Sequence, residues 1–262
     1  MIKIIRSSIF DFMKFFSVVC FWGGAFLGGF PGISGGGAGA QTLPDFGTCD
    51  SRMWLSQGTQ TSLNAIDTST NPFTFVNLGS VSFTYNATAY NPLDNYGYAV
   101  NNNSPTLYRI GSNAQAQNIG TITGLPSGFK ANTGDISDDG SYYIYSRTHD
   151  NSLYKVDISS ASAIRIPLTR SVFLTDLAWS NGLLYAKEGD SRQLISINPV
   201  TGAVKNIGDT GLAASSLFGA CSAHQIPSMA PEIAERAFSS LILLPGAQPA
   251  FPTPRVRQST TA

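Results

Sequence analysis

Apolar and polar residues alternate in short runs along most of the chain, and these runs recur at a spacing near 43 residues. The clearest copies read SLNAID (62–67), LYRIG (107–111), LYKVD (153–157) and LISIN (194–198). Alternation with a period of two, bounded by turn residues, predicts β-strands because successive side chains of a strand point to opposite faces. The chain is therefore predicted to repeat one strand-containing unit four times.

Each repeat contains further predicted strands around this phrase. They comprise a strand before it (53–57, 96–100, 142–146, 183–187), a strand after it (75–81, 117–122, 163–168, 203–209) and an opening segment (88–92, 133–137, 175–180). A lone four-stranded sheet cannot bury its own faces, and stacked units of about 40–45 residues are typical of propeller blades. The sequence predicts an all-β, β-propeller-like domain of about four four-stranded blades over residues 41–225. A β-solenoid is the alternative, although its repeats are usually shorter.

Several phrases of the repeat resemble a known family. TAYNPLDNYGYAV, GTITGLP, TGDISDDGSYYIYS and TDLAWSNGLLYAK are similar to an uncharacterised propeller module, domain of unknown function 6923, which occurs in exported and surface proteins. The likeness runs from about Phe46 to Ala220, and GTITGLP (120–126) is its most specific part. The resemblance implies a propeller fold, and it implies no substrate, catalytic residue or cofactor.

The phrase that opens the first copy returns at the end of the repeat. FGTC (46–49) and FGAC (218–221) lie 172 residues apart, which is four periods of 43. Members of the resembled family continue beyond FGA into more strands, whereas this chain passes into a tail without the repeat. We therefore interpret FGAC as the start of a further blade and the propeller as incomplete at its C-terminal side. The tail (226–262) is predicted to form a short helix at 231–244 and then to be disordered.

The first forty residues have the features of a secretion signal. Basic residues precede an apolar stretch at 15–30, and Ala38-Gly39-Ala40 matches the small-x-small pattern of a cleavage site. We predict a signal peptide (1–40) cleaved after Ala40, a secreted or cell-surface protein and no membrane span after cleavage. An uncleaved N-terminal anchor is the alternative.

Export changes how two pairs of residues are interpreted. Cys49 and Cys221 would meet an oxidising compartment, where a disulfide forms if the geometry allows it. That geometry requires the two FGxC strands to lie side by side, as ring closure would place them. Asn86 and, less suitably because a proline follows, Asn102 are candidate glycosylation sites in a eukaryotic host.

Charge and motifs exclude several classes of function. The formal net charge is zero and the repeat has no cluster of Lys and Arg, so nucleic acid is not a predicted partner. The only histidines, His149 and His224, lack metal-ligand spacing, and we predict no cofactor and no metal centre of the zinc type. His149 is interpreted as a solvated loop residue.

The stretch DISDDG allows two interpretations. Asp135, Ser137 and Asp139 followed by Gly140 match the first half of a calcium loop, but Ser146 occupies the position of the expected bidentate Glu. The alternative, which we favour, is a hairpin turn whose Asp side chains bond their own backbone.

Asp135 and Asp176 open the first strands of adjacent copies. In a propeller the first strand lines the central channel, so both carboxylates would face one mouth and bind a cation or a sugar, or act as acid and base in glycoside cleavage. The favoured alternative is that they cap the loops entering these strands. Nearby aromatic side chains would either form a carbohydrate face or pack between blades; they are Tyr90, Tyr96, Tyr98, Tyr143 and Trp179.

These observations favour a binding, adhesion or structural module and not an enzyme, with carbohydrate or a surface protein as partner. The second hypothesis is a secreted propeller hydrolase or lyase that acts on polysaccharide. The third is a truncated product without independent function, whose incomplete ring would show no cooperative unfolding.

Overall fold

A computed structural model of the chain describes residues 13–17 (backbone only), 43–47, 53–67, 74–211 and Ala214. All regular elements in these ranges are strands. They are β1 (Met13–Ser17), β2 (Met53–Gln57), β3 (Ser62–Asp67), β4 (Thr74–Ser80), β5 (Tyr85–Asn91), β6 (Tyr96–Asn101), β7 (Thr106–Ile110), β8 (Ala116–Thr121), β9 (Thr133–Ile136), β10 (Tyr142–Tyr145), β11 (Ser152–Asp157), β12 (Ser162–Pro167), β13 (Ala178–Ser180), β14 (Leu183–Lys187), β15 (Gln193–Ile197) and β16 (Val204–Asp209).

The strands form four antiparallel sheets, each of four strands in chain order. Blade 1 is β1–β4, blade 2 is β5–β8, blade 3 is β9–β12 and blade 4 is β13–β16. The first strands of neighbouring blades contact one another in the order β1, β5, β9, β13, so they lie innermost around a common axis. The predicted β-propeller of four four-stranded blades is confirmed.

Most strand bounds agree with the sequence prediction. β2, β3 and β14 have the predicted ends, and the other second, third and fourth strands of the blades differ by one residue. The opening strands agree less well, since β5 begins three residues earlier than predicted and β13 three residues later. The turns between the strands help to set these bounds, as at Asn181 and Gly182 before β14, which both have positive φ.

The core consists of layers between adjacent blades. Tyr142 belongs to the cluster between blades 2 and 3, where it meets Ala89 and Tyr98. Its neighbour Tyr143 points the other way and belongs to the cluster between blades 3 and 4, with Leu184. Stacking therefore buries both faces of blade 3, which a single sheet could not achieve alone.

One strand was not predicted, because it lies inside the segment interpreted as a signal peptide. β1 pairs antiparallel with all of β2, from Met13 opposite Gln57 to Ser17 opposite Met53. It takes the innermost place of blade 1. The segment 43–47, which contains the start of FGTC, instead lies against blade 2, where Phe46 N–H donates to Asn95 O at 2.8 Å.

Other predictions fall outside the described residues. These are the cleavage site after Ala40, both cysteines of the predicted disulfide (Cys49 and Cys221), the tail (226–262) and His224. They stay predictions. Within the described part of the chain, no helix has the length and apolar character needed to cross a bilayer.

Candidate functional site

The two carboxylates named from the sequence lie where blade 3 meets blade 4. Asp135 is on β9, and its Oδ2 accepts a hydrogen bond from Trp179 N–H of β13 at 2.6 Å. Asp176 precedes β13, and its Oδ1 accepts a hydrogen bond from Thr133 Oγ1 of β9 at 2.7 Å. Both side chains therefore link neighbouring innermost strands. Asp135 also accepts the N–H of Ile136 at 2.9 Å, so both of its hydrogen bonds come from backbone N–H groups within strands.

The surroundings of the Asp135 carboxyl shift its pKa. Burial raises its pKa to about 6, although the backbone hydrogen bonds from Trp179 and Ile136 act in the opposite direction. Loss of hydration outweighs these two bonds, and the negative charge of Asp138 raises the pKa of Asp135 further. A carboxyl with a pKa near neutrality can hold or release a proton at physiological pH.

A stacked aromatic pair lies beside this contact. The rings of Tyr143 and Trp179 are 5.9 Å apart and nearly parallel, and Trp179 Nε1 donates to Asp138 Oδ2 at 3.1 Å. The other aromatic residues named from the sequence belong to blade 2 and pack between blades, with Tyr90 in the cluster of Trp54 and with Tyr96 and Tyr98 in that of Tyr142. Tyr90 donates to Asn95 Oδ1 at 2.6 Å, and Tyr98 is 3% exposed. The structure thus brings only two of the five aromatic rings together beside the carboxylates.

The DISDDG stretch has the geometry of a hairpin turn between β9 and β10. Ser137 N–H donates to Ser141 O and Gly140 N–H donates to Ser137 O, both at 2.9 Å. Gly140 has a φ of 78°, which suits glycine. The hydrogen bonds from Ser137 and Ser141 lower the pKa of Asp139. Its oxygens therefore serve the turn, and among the described residues no group of three or more His, Cys, Asp or Glu could hold a metal ion.

The two candidate glycosylation sites differ in exposure. Asn86 lies in β5 with 5% of its surface exposed, and its Oδ1 accepts the N–H of Ala87 at 2.7 Å. A glycan on Asn86 would not fit this packing. Asn102 follows β6 and is partly exposed, so the glycosylation prediction rests on Asn102.

An open groove of about 520 Å³ lies on blade 3, away from the predicted carboxylates. The connection from β8 to β9 forms one wall, the turn between β10 and β11 forms another, and β11 and β12 form the floor. The lining residues are Gly124, Leu125, Pro126, His149, Asp150, Tyr154 and Arg165.

The wall that carries Gly124 is attached to the floor by backbone hydrogen bonds. Thr123 N–H donates to Ala161 O at 2.9 Å, and Ala163 N–H donates to Thr123 O at 2.8 Å. Gly124 has a φ of 80°, and a Cβ there would lie 2.3 Å from Ala163 O. Only glycine fits this approach, which gives a physical reason for the glycine in the GTITGLP phrase.

Polar groups of the groove form one connected set around Asp150. Its carboxylate accepts hydrogen bonds from Tyr154 Oη at 2.9 Å, from Ser152 Oγ at 3.0 Å and from Arg165 Nε. Burial alone would raise the pKa of Asp150, but the bonds from Arg165, Tyr154 and Ser152 together lower it. The groove therefore presents an ionised carboxylate and a guanidinium side by side.

His149 is held at the rim of the groove. Its Nε2 lies 3.1 Å from Ser127 O, and its ring lies 5.5 Å from the ring of Phe129. Since a carbonyl only accepts, Nε2 carries the proton in this contact. The sequence interpretation of His149 as a solvated loop residue overlooked these contacts. The signal that would have found the groove was the GTITGLP phrase itself, because it supplies one wall.

The model of a family described as "Repeat of unknown function (DUF6923)" matches residues 54–223. The chain belongs to this family. The matched range includes all of blades 2, 3 and 4 and the residues that line the groove. No curated protein matches the chain in sequence.

Several solved structures are similar to this chain in fold. A chain of the nidogen/laminin complex has a TM-score of 0.51 at 11% identity, over 69% of this chain and 67% of that one. Myxococcus xanthus glutaminyl cyclase has a TM-score of 0.46 at 15% identity, over 59% of this chain and 64% of that one. Virginiamycin B lyase from Staphylococcus aureus has a TM-score of 0.43 at 7% identity, over 66% and 56%.

The shared length is limited. This chain spans 64% of the glutaminyl cyclase and 44% of a Bacteroides thetaiotaomicron protein of unknown function. At these identities the likeness shows the β-propeller fold alone.

Proposed function

We propose that this DUF6923 protein is an exported binding module that holds carbohydrate in the groove of blade 3. The observation that carries the proposal is the contrast between two sets of polar groups. Asp135 and Asp176 are engaged in contacts between blades, whereas Asp150 and Arg165 border open space. A site with mostly apolar walls and a few fixed polar groups is the usual form of a small-ligand site.

The chemistry of the groove suits a sugar better than a charged ligand. Leu125 and Pro126 supply apolar surface for the C–H face of a pyranose ring, and the planar groups of Asp150 and Arg165 can hydrogen-bond to vicinal hydroxyls. Asp150 and Arg165 also neutralise each other, so neither an anion nor a cation is selected. A neutral glycan chain is therefore the proposed ligand class.

The test uses a matched pair of arginine variants. Arg165 and Arg192 each form an ion pair with an Asp, and each has 52% of its side chain exposed, but of the two only Arg165 lines the groove. Binding to a panel of neutral polysaccharides is measured by affinity electrophoresis. We expect Arg165→Gln to weaken binding at least tenfold and Arg192→Gln to leave it unchanged. Equal affinities of the two variants, or no binding by the parent protein, would contradict the proposal.

A second function is favoured by one observation, the pKa of about 6 at Asp135. A propeller hydrolase or lyase acting on polysaccharide would use this carboxyl as a proton donor with Asp176 as its partner. Asp135→Asn and Asp176→Asn variants are assayed with the same panel for product release. Turnover by the parent protein that either variant abolishes would establish the enzyme, and binding without turnover in all three would exclude it for these substrates.

A further inference from the structure

The described residues that line the groove of blade 3 include a carboxylate, a guanidinium and an imidazole. Asp150 and Arg165 form an ion pair, and His149 lines the same groove. Burial opposes the ionisation of Asp150, but its hydrogen bonds outweigh burial and lower its pKa, so it is ionised at neutral pH. Burial raises the pKa of the Tyr154 hydroxyl, which therefore stays neutral. The net charge of the groove thus depends on whether His149 is protonated.

Both ring nitrogens of His149 already face oxygen atoms. Nε2 lies 3.1 Å from Ser127 O, and Nδ1 lies 3.5 Å from both Ser146 Oγ and Thr148 Oγ1. A hydroxyl group can accept a hydrogen bond as well as donate one. A proton on Nδ1 would therefore meet an acceptor while Nε2 keeps its bond to Ser127 O. The imidazole can take a positive charge without turning away from the groove.

The charges around His149 do not cancel this added charge. Asp150 is engaged by Arg165, and His149 itself forms no ion pair within the described part of the chain. The guanidinium of Arg147 lies 5.9 Å from the centre of the Phe173 ring. The charged residues on the surrounding connections and strands, apart from Asp150 and Arg165, are Arg147, Lys130, Lys155 and Asp157. None of these four lines the groove. A proton on His149 therefore gives the groove a net positive charge.

We propose that His149 sets the charge selectivity of the groove, which accepts uncharged glycans at neutral pH and favours glycans that carry carboxylates at acid pH. This role of His149 rests on the proposed carbohydrate binding. With a neutral imidazole, the ion pair of Asp150 and Arg165 leaves the groove without net charge. With a protonated imidazole, a uronic acid gains an attraction that the corresponding neutral sugar lacks. Imidazole is the side chain whose charge ordinarily changes between about pH 5 and 8.

The experiment compares matched neutral and anionic ligands. The probes are the neutral polysaccharides of the binding panel, each paired with a form whose C6 hydroxyl groups have been oxidised to carboxylates. Isothermal titration calorimetry with the full chain gives the dissociation constants of both forms at about pH 5.5 and about pH 7.5, on either side of the usual imidazole titration. Sugar carboxylates are ionised at both values. The ratio of the two dissociation constants cancels any effect of pH that the two forms share.

Acidification should favour the oxidised form over the neutral form about three- to fivefold in the parent protein, which is the effect expected of one partly exposed ion pair. About 1 M salt should remove this gain by screening. In His149→Gln the ratio should be the same at both pH values, because the amide can donate to Ser127 O but takes no charge. His224→Gln, which removes the other histidine of the chain, should keep the gain.

Three outcomes would count against this role of His149. A ratio that does not change with pH, or an oxidised form that fails to bind at the lower pH, would overturn it and leave the proposed carbohydrate binding intact. A gain that persists in His149→Gln would also overturn it, because another group that titrates in this range, such as Asp135, would then be responsible. No binding of any neutral or oxidised polysaccharide by the parent protein would contradict the proposed function itself, and the role of His149 with it.

Discussion

Two buried threonines on neighbouring innermost strands provide a sharp test of how the blades are held together. Thr133 on β9 is 1% exposed, and Thr88 on β5 is 6% exposed. Thr133 donates to Asp176 Oδ1 at 2.7 Å across the contact between blades 3 and 4. Thr88 Oγ1 is buried and has no hydrogen-bond partner among the described residues. The perturbation is the near-isosteric change of each threonine to valine.

The difference arises from what the next blade offers at the same repeat position. Thr133 and Asp176 are 43 residues apart. Thr88 opens the TAYNP copy as Thr133 opens the TGDIS copy, and no described side chain of the next blade reaches Thr88 Oγ1. Blade 3 therefore gives Thr88 no acceptor, and its hydroxyl lost its water without gaining a partner.

The two substitutions should change stability in opposite directions. A hydrogen bond to a charged group contributes about 1.5–3 kcal/mol, so Thr133→Val should lower the free energy of unfolding by about 2 kcal/mol. An unsatisfied buried hydroxyl costs about 1–3 kcal/mol, so Thr88→Val should raise it by about 1 kcal/mol or more. For a domain of this size, 1 kcal/mol corresponds to a shift of about 2–4 °C in Tm.

The assay is thermal unfolding followed by circular dichroism, with urea titration to confirm that the m-value is unchanged. Equal losses in both variants would refute the reasoning, because shape and not hydrogen bonding would then govern these sites. Thr133→Val as stable as the parent protein would show that the bond to Asp176 contributes nothing. A single cooperative transition of the parent protein would also contradict the hypothesis of a truncated product that cannot fold.

Three further predictions concern other contacts. Folding raises the pKa of Asp135 from 3.8 to about 6, so its contribution to the free energy of unfolding is most favourable below pH 3.8 and declines by about 3 kcal/mol as the pH rises to 6. When denaturation is measured between about pH 4 and 7, Asp135→Asn should not show this decline. Lys187→Met removes the hydrogen bond from Nζ to Ala214 O and should lower the free energy of unfolding, measured by urea denaturation, by about 1–3 kcal/mol. Lys205→Met, at an exposed lysine, should leave that free energy unchanged. Gly124→Ala should lower Tm more than Gly128→Ala, which has a similar φ and no atom within 4 Å of the added Cβ.

The strands could be predicted from the sequence, whereas the polar contacts of the candidate sites could not. β14 has the predicted bounds because the alternation and the Asn181-Gly182 turn before it are local. The role of Asp135 depends on Trp179, 44 residues away, and hence on how two sheets are set against each other. No pattern within one blade encodes that offset.

The sequence by itself determined the repeat, the number of blades and the positions of most strands, because period-two alternation and turn residues act over about ten residues. Only the tertiary structure decided which side chains meet between blades. It gave the Thr133 hydroxyl a carboxylate acceptor and left the Thr88 hydroxyl without a partner among the described residues, although both threonines occupy the same place in the repeat. It also assembled the groove from the connection at 124–126, a turn and two strands. Such sites arise from the stacking of sheets, because a small sequence difference between two copies of the repeat changes which polar groups meet there.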